Sequence, residues 1–291
     1  MNSYNIEKGD DLDISGQKLK GYIQYVIPFN NVTNLYMIDE GLATIENLSE
    51  CFSSRMGMTT PLQSVERIDL SKFNTMNCKD TSYMFSGLKN LGSISNFNTS
   101  NVTNMSDMFA ECVNLSEIPN LDTSNVVNFN RFGVWCNNMT HVPNFNTINA
   151  VNMCQIFDGM NLVEIPNLYT NKVTGVHYAF GNCKMSYLPQ FNFSNVINMG
   201  YMCGGCINLV DVPQYDTSSC NYMVGAFRLC NNLSNSSIQN IINMCLLSNI
   251  SNSNMMNLNP NNSYSPLKNT PFDSSYYSNR LTELTQAGWT Y

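Results

Sequence analysis

Residues 91–112 read LGSISNFNTSNVTNMSDMFAEC, and the same grammar returns along the chain. It reads LSEIPNLDTSNVVNFNRFGVWC at 115–136, MTHVPNFNTINAVNMCQIF at 139–157 and LVEIPNLYTNKVTGVHYAF at 162–180. MSYLPQFNFSNVINMGYMC at 185–203 and LVDVPQYDTSSCNYMVGAF at 209–227 complete the regular run. Phe85, Phe109, Phe132, Phe157, Phe180, Cys203 and Phe227 fall in one column with steps of 23 to 25 residues. A second column, Ile118, Val142, Ile165, Leu188 and Val212, keeps the same period, and each member precedes a proline. Two independent columns sharing one period identify a repeat of the length expected for solenoid coils.

Within the first quoted coil, Leu91, Ile94 and Phe97 predict a short strand with inward apolar residues. Thr99, Ser100 and Asn101 form a cluster of helix N-cap types. Val102, Met105, Met108 and Phe109 then fit one face of a helix. A helix of about ten residues is marginal alone in water, so each coil must be held by its neighbours. The prolines (Pro119, Pro143, Pro166, Pro189 and Pro213) cannot donate to a ladder, which keeps each strand very short. The expected fold class is an α/β solenoid, an array of short parallel strands and short helices with caps at both ends.

Residues 1–64 read as an N-terminal cap with a blurred repeat at Val32 to Phe52, and 65–235 as the array. Val65 to Cys78 is a longer variant coil with Ile68, Leu70 and Phe73 inward. Residues 236–291 read as the C-terminal cap. It comprises a helix over 236–247, a loop over 248–275, and a helix over 276–286 ended by Gly288. Trp289 is expected to fold back as a closing strand.

The units NFNTSNVTNMSDMFAECVNL and PQFNFSNVINMGYMCGGCINL resemble the BspA-type leucine-rich repeat, a bacterial surface-protein repeat. The resemblance covers about residues 65–235, and the closing LTELTQAGWTY is similar to the cap that often follows such arrays. It implies a binding or adhesion scaffold without catalytic residues, of the kind found in bacterial adhesins, protist surface proteins and phage virion proteins.

Composition narrows the function classes. Charged residues make up 12% of the chain, about half the usual share. The formal charge is −7 and the pI near 4.7, the opposite of a phosphate-backbone footprint, so nucleic acid is not expected as a partner. No apolar run reaches the roughly 18 residues of a membrane span, and Met1 to Asp10 lacks the pattern of a secretory signal. Asparagine supplies about one residue in six, and stacked carboxamides can bond from coil to coil. Of the 11 cysteines, Cys112, Cys136, Cys183, Cys206 and Cys230 share one column and read as reduced core fillers.

Catalytic chemistry finds little footing. His141 and His177 sit at no triad or metal spacing. Cys203 and Cys206 form a lone CxxC whose members already belong to lattice columns, although a metal- or thiol-dependent enzyme remains the alternative from another class. Asp10, Asp11 and Asp13 lack the rest of a calcium loop and read as a solvated turn. No cofactor or metal is expected.

One column suits recognition: Glu117, His141, Glu164, Tyr187 and Asp211, each just before an inward strand hydrophobe and therefore on the outer face. At about 4.8 Å per coil the column would span roughly 19 Å. The expected ligand is a protein or a neutral glycan. Assembly into a larger particle or a homo-oligomer is compatible with the scaffold. The expected role is a phage or prophage virion structural or host-recognition protein, made in a bacterial cytoplasm. The alternative is a cell-surface or secreted bacterial adhesin.

Overall fold

The computed structural model describes residues 10–13, 32–39, 46–53, 62–251, 259, 261–263, 265–273 and 277–290. Four parallel strands open the chain in the order β1 (Asp10–Asp13), β2 (Val32–Asp39), β3 (Arg67–Phe73) and β4 (Ser93–Ile94). The acidic run at Asp10 is thus a strand paired with β2, where the sequence suggested a turn; parallel pairing to β2 engages its backbone. Ile68 and Leu70 of β3 are fully buried, as their alternation requires, while the side chain of Phe73 lies outside the described residues.

From residue 46 the chain advances in stacked coils. Parallel bridges link Asn47, Asp80, Asn104, Asn128, Asn152, Gly175, Asn198 and Tyr222 in series. Residues 46–53, assigned by sequence to the N-terminal cap, already stack as a coil: Leu48 N donates to Asp80 O and Phe52 N to Met84 O. The rest of the expected cap lies mostly outside the described residues.

The expected helix within each coil does not form. In the coil that was quoted first, Met105, Asp107, Phe109 and Glu111 donate their N–H groups to Asn128, Asn130, Phe132 and Val134 of the next coil. The intervening Met108, Ala110 and Cys112 close turns on Met105, Asp107 and Phe109. This alternation requires left-handed residues four apart, and Asp107 (φ 54) and Glu111 (φ 64) supply them. The pair recurs as Tyr83 and Gly87, Arg131 and Trp135, Gln155 and Gly159, Tyr178 and Asn182, and Tyr201 and Gly205. A helix would turn every N–H along its own axis and leave neighbouring coils unlinked. Four-residue turns place apolar side chains at much the same spacing as a helix, which is why the pattern misleads.

Polar side chains reinforce the stack. Asn128 Nδ2 donates to Asn104 Oδ1 (3.1 Å) and Asn104 Nδ2 to Asp80 Oδ1 (3.2 Å), the carboxamide bonding anticipated from composition. The Thr-Ser-Asn clusters are turns, not helix caps: Asn98 Oδ1 accepts from Ser100 N at 2.9 Å. The buried hydroxyls of Thr99 and Thr123 reach forward to Asp122 O (2.9 Å) and Asn146 O (3.1 Å). Inside, Phe52, Phe85 and Phe109 stack with centroids 5.6 and 5.4 Å apart.

A true helix appears where the repeat stops. α1 (Asn235–Leu247) is N-capped by Ser234, whose side chain accepts from Ser237 N, and buries Ile238, Ile241, Ile242 and Cys245 as expected. Within the segment read as loop, Leu267 is buried and Ser265 to Thr270 add one more rung: Phe227 N donates to Pro266 O and Leu229 N to Lys268 O. A 3₁₀ turn and α2 (Leu281–Gln286) follow, and Gly288 (φ 85) ends α2. Trp289 is buried at the end of the stack, its Nε1 donating to Cys245 O at 3.1 Å, and of the expected closing strand the structure shows a bridge at Thr290.

Candidate functional site

Apart from the Asn104 to Tyr222 ladder, one bridge in the regular coils falls on the sequence-derived column. Tyr187 and Asp211 form a parallel bridge, and Leu188 N donates to Asp211 O at 3.0 Å. One coil back, Val163 N donates to Thr140 O, which aligns the residues next to His141 and Glu164. All five members, Glu117, His141, Glu164, Tyr187 and Asp211, are exposed, while Ile118, Ile165, Leu188 and Val212 behind them are buried. His141 is engaged locally, its Nδ1 lying 3.0 Å from Thr140 Oγ1. Asp211 takes a long bond from Ser234 Oγ (3.4 Å). The pairing directly joins only Tyr187 with Asp211. The other three share the exposed face without a bridge between them.

Half-exposed prolines and exposed carboxamides widen this strip. After the column come Pro119, Pro143, Pro166, Pro189 and Pro213, and then the exposed Asn120, Asn144, Asn167, Gln190 and Gln214. Gln190 Nε2 donates to the backbone carbonyl of Gln214 (3.2 Å), tying one of these amides to the next coil. The result is an exposed polar face with one acid, imidazole or phenol per coil.

A second face escaped the sequence reading because it lies on the left-handed turns that were read as helix. Its first column runs Tyr83, Asp107, Arg131, Gln155, Tyr178 and Tyr201. Arg131 Nε pairs with Asp107 Oδ1 at 2.7 Å, with the aspartate almost wholly buried. Tyr178 and Tyr201 stack at 4.8 Å, and His177 meets Tyr178 edge-on at 4.5 Å. Glycines make room: a Cβ on Gly200 would fall 2.5 Å from the Tyr222 ring and 2.8 Å from His177 Nδ1. Burial pushes the Asp158 carboxyl up, despite the amide of Asn182, and holds the His177 imidazole below its usual range. In both, burial outweighs their mutual attraction. The signal in the sequence was variability: aspartate, arginine, glutamine and tyrosine alternate at one repeat position between conserved apolar spacings.

The thiols are placed for packing. Cys112 and Cys136 donate to Phe85 O and Phe109 O, and Cys183, Cys206 and Cys230 repeat the contact further along. Leu88 and Met160 take the same place after Phe85 and Phe157 in coils without the cysteine. Burial raises Cys112, Cys183, Cys203 and Cys230 well above the usual thiol range, and Cys136 to about 12. A protonated, enclosed thiol is a poor nucleophile and a poor metal ligand. Among the described residues no group of three or more His, Cys, Asp or Glu is arranged to hold a metal, and no helix is long and apolar enough to cross a membrane.

Coils joined from Asp80 to Tyr222 by bridges 23 or 24 residues apart, each repeating the same interior, define a repeat protein. The chain belongs to the family described as "Mycoplasma protein of unknown function, DUF285", which matches residues 46–164 and again 152–265. No curated protein and no solved structure matches the chain.

Proposed function

We propose that this chain is a non-enzymatic interaction or adhesion module, a capped BspA-like leucine-rich-repeat solenoid in which left-handed turns replace the usual helices. The observation that carries the reading is the exposed column Glu117, His141, Glu164, Tyr187 and Asp211 over a fully packed interior. A rigid face loses little entropy on binding, and mixed acid, imidazole and phenol groups suit a protein or neutral glycan. The acidic balance of −7 disfavours polyanions. The matching family is described by a cellular genus, which favours display on a bacterial surface over the other setting, a virion protein.

The test is a binding screen of the purified chain against neutral glycans, basic proteins and intact cells. Saturable binding in one class is expected, and combined Glu117→Ala, Glu164→Ala and Tyr187→Ala should remove it with the unfolding midpoint preserved. Binding in no class, or unchanged binding by the triple variant, would refute the reading of this face.

A further inference from the structure

Trp135 departs from the lattice in two ways. It is 55% exposed, the most exposed tryptophan or phenylalanine among the described residues, whereas the chain's other tryptophan, Trp289, is buried. Its φ is 65, in a left-handed column that other coils fill with Gly87, Gly159 and Gly205 or with Glu111, Asn182 and Leu229, none of them aromatic. A bulky side chain is disfavoured there, and such strain persists where the surroundings hold it. The neighbouring coil does hold it. Trp135 N donates to Asp158 O at 2.8 Å. The Asn137 carboxamide, with its nitrogen toward the two carbonyls, donates to Trp135 O (3.1 Å) and Gly159 O (2.8 Å). A Cβ on Gly159 would lie 3.7 Å from the indole Cδ2, an ordinary contact distance, so the ring lies beside Gly159 of the next coil.

The turns around Trp135 mix amides with acids: Glu111 holds the same place one coil back, and Asp158 O accepts from Trp135 N. Asn137 and Asn138 are exposed, Asn161 donates to Asn137 O, and Asn182 is tied to the Asp158 carboxylate at 3.1 Å. Carboxamides donate and accept at once, as sugar hydroxyls do, and a rigid indole offers an apolar surface for pyranose C–H groups. A protein partner would call for a broader apolar patch, and a polyanion would meet Glu111 and Asp158 while Arg131 is already paired with Asp107.

We propose that Trp135, beside Gly159 of the next coil and braced by Asn137, is a binding subsite for a pyranose unit of a neutral glycan. It rests on the reading of the chain as a binding module, but places the sugar contact on the turn face, away from the Glu117 to Asp211 strip.

Tryptophan emission reads this subsite, because only one of the two indoles is exposed. The probes are glucose, galactose and N-acetylglucosamine, as methyl glycosides and as α- and β-linked oligomers. At least one oligomer should shift the emission saturably and protect it from acrylamide quenching. Trp135→Gly, which installs the residue used in sister coils, should weaken binding at least tenfold by calorimetry with the unfolding midpoint kept. Trp135→Phe should restore part of it. The triple variant of the strip should still protect Trp135. Loss of sugar binding in the strip variant with retention in Trp135→Gly would overturn this subsite and leave the strip reading standing. No response to any oligomer, or equal affinity in Trp135→Gly, would overturn it as well, whatever the strip binds.

Discussion

The thiol of Cys136 donates to the carbonyl of Phe109, 3.0 Å away and one coil back. The same contact at Cys112, Cys183, Cys206 and Cys230 makes the cysteine column a set of small, weak donors that also fill space. Ten of the 11 cysteines are buried and all are free, Cys154 alone being partly exposed. Native protein should therefore react with a thiol reagent at one group at most within minutes. Denatured without reductant, it should release nine or more. Recovery of only one or two groups would mean that the column is oxidised.

Phe109 lies between Phe85, stacked at 5.4 Å, and Phe132, edge-on at 5.2 Å, and is fully buried. Phe109→Ala should cost about 3–5 kcal/mol, through lost transfer energy and a cavity closed in by two coils. Urea unfolding measures it. A loss under about 1 kcal/mol would remove this residue from the core.

The Asn128 to Asn104 bond tests the carboxamide ladder. Asn128 Oδ1 also accepts from Asn130 N (3.0 Å), and Asn104 Oδ1 from Ser106 N (3.2 Å), so neither amide can flip freely. Asn128→Asp sets a carboxylate against Asn104 Oδ1 and should destabilise by about 1–3 kcal/mol at pH 7. Lowering the pH through the aspartate range should recover part of the loss, because the protonated carboxyl can donate. A pH-independent loss would locate the cost elsewhere.

Left-handed residues other than glycine leave room for improvement. Glu111 (φ 64) occupies the place that Gly87 (φ 80) and Gly159 (φ 76) fill. Glu111→Gly should stabilise by about 0.5–1 kcal/mol, and Gly159→Ala should destabilise by about 1 kcal/mol or more. Equal and opposite results would place the turns outside the left-handed region.

His177 makes stability depend on pH. Its folded pKa lies below the ordinary 6.5, chiefly from burial, so the folded form takes a proton less readily than the unfolded chain. Stability from this group is complete above 6.5 and falls as the pH drops through the window beneath it. Asp158, raised by burial, acts in the opposite sense over a window that opens above its ordinary 3.8. The unfolding midpoint should thus fall between pH 7 and 5.5, and His177→Gln should flatten that fall. An identical slope in the variant would assign the dependence to other groups.

The period, the interior columns and the final helix were legible because they depend on side-chain type alone: apolar residues at Phe109, Val102 or Ile238 have one way to leave water. The outward Glu117 to Asp211 column was legible for the same reason, its partners Ile118 to Val212 being apolar. The turn face was not legible. Whether Val102, Met105, Met108 and Phe109 wind as a helix or as four-residue turns is a contest between backbone bonds along one coil and backbone bonds to the next. The apolar spacing serves both, and only the neighbouring coil, absent from any local window, decides it. Once Asn128 and Val134 accept from Met105 and Glu111, left-handed residues follow, and Trp135, Tyr178 and Tyr201 are carried outward onto a face that no helical reading could place. Sequence alone thus determined what is buried and how often the chain repeats. Tertiary structure decided how each coil turns, because the hydrogen bonds that set the turn come from residues some 24 positions away.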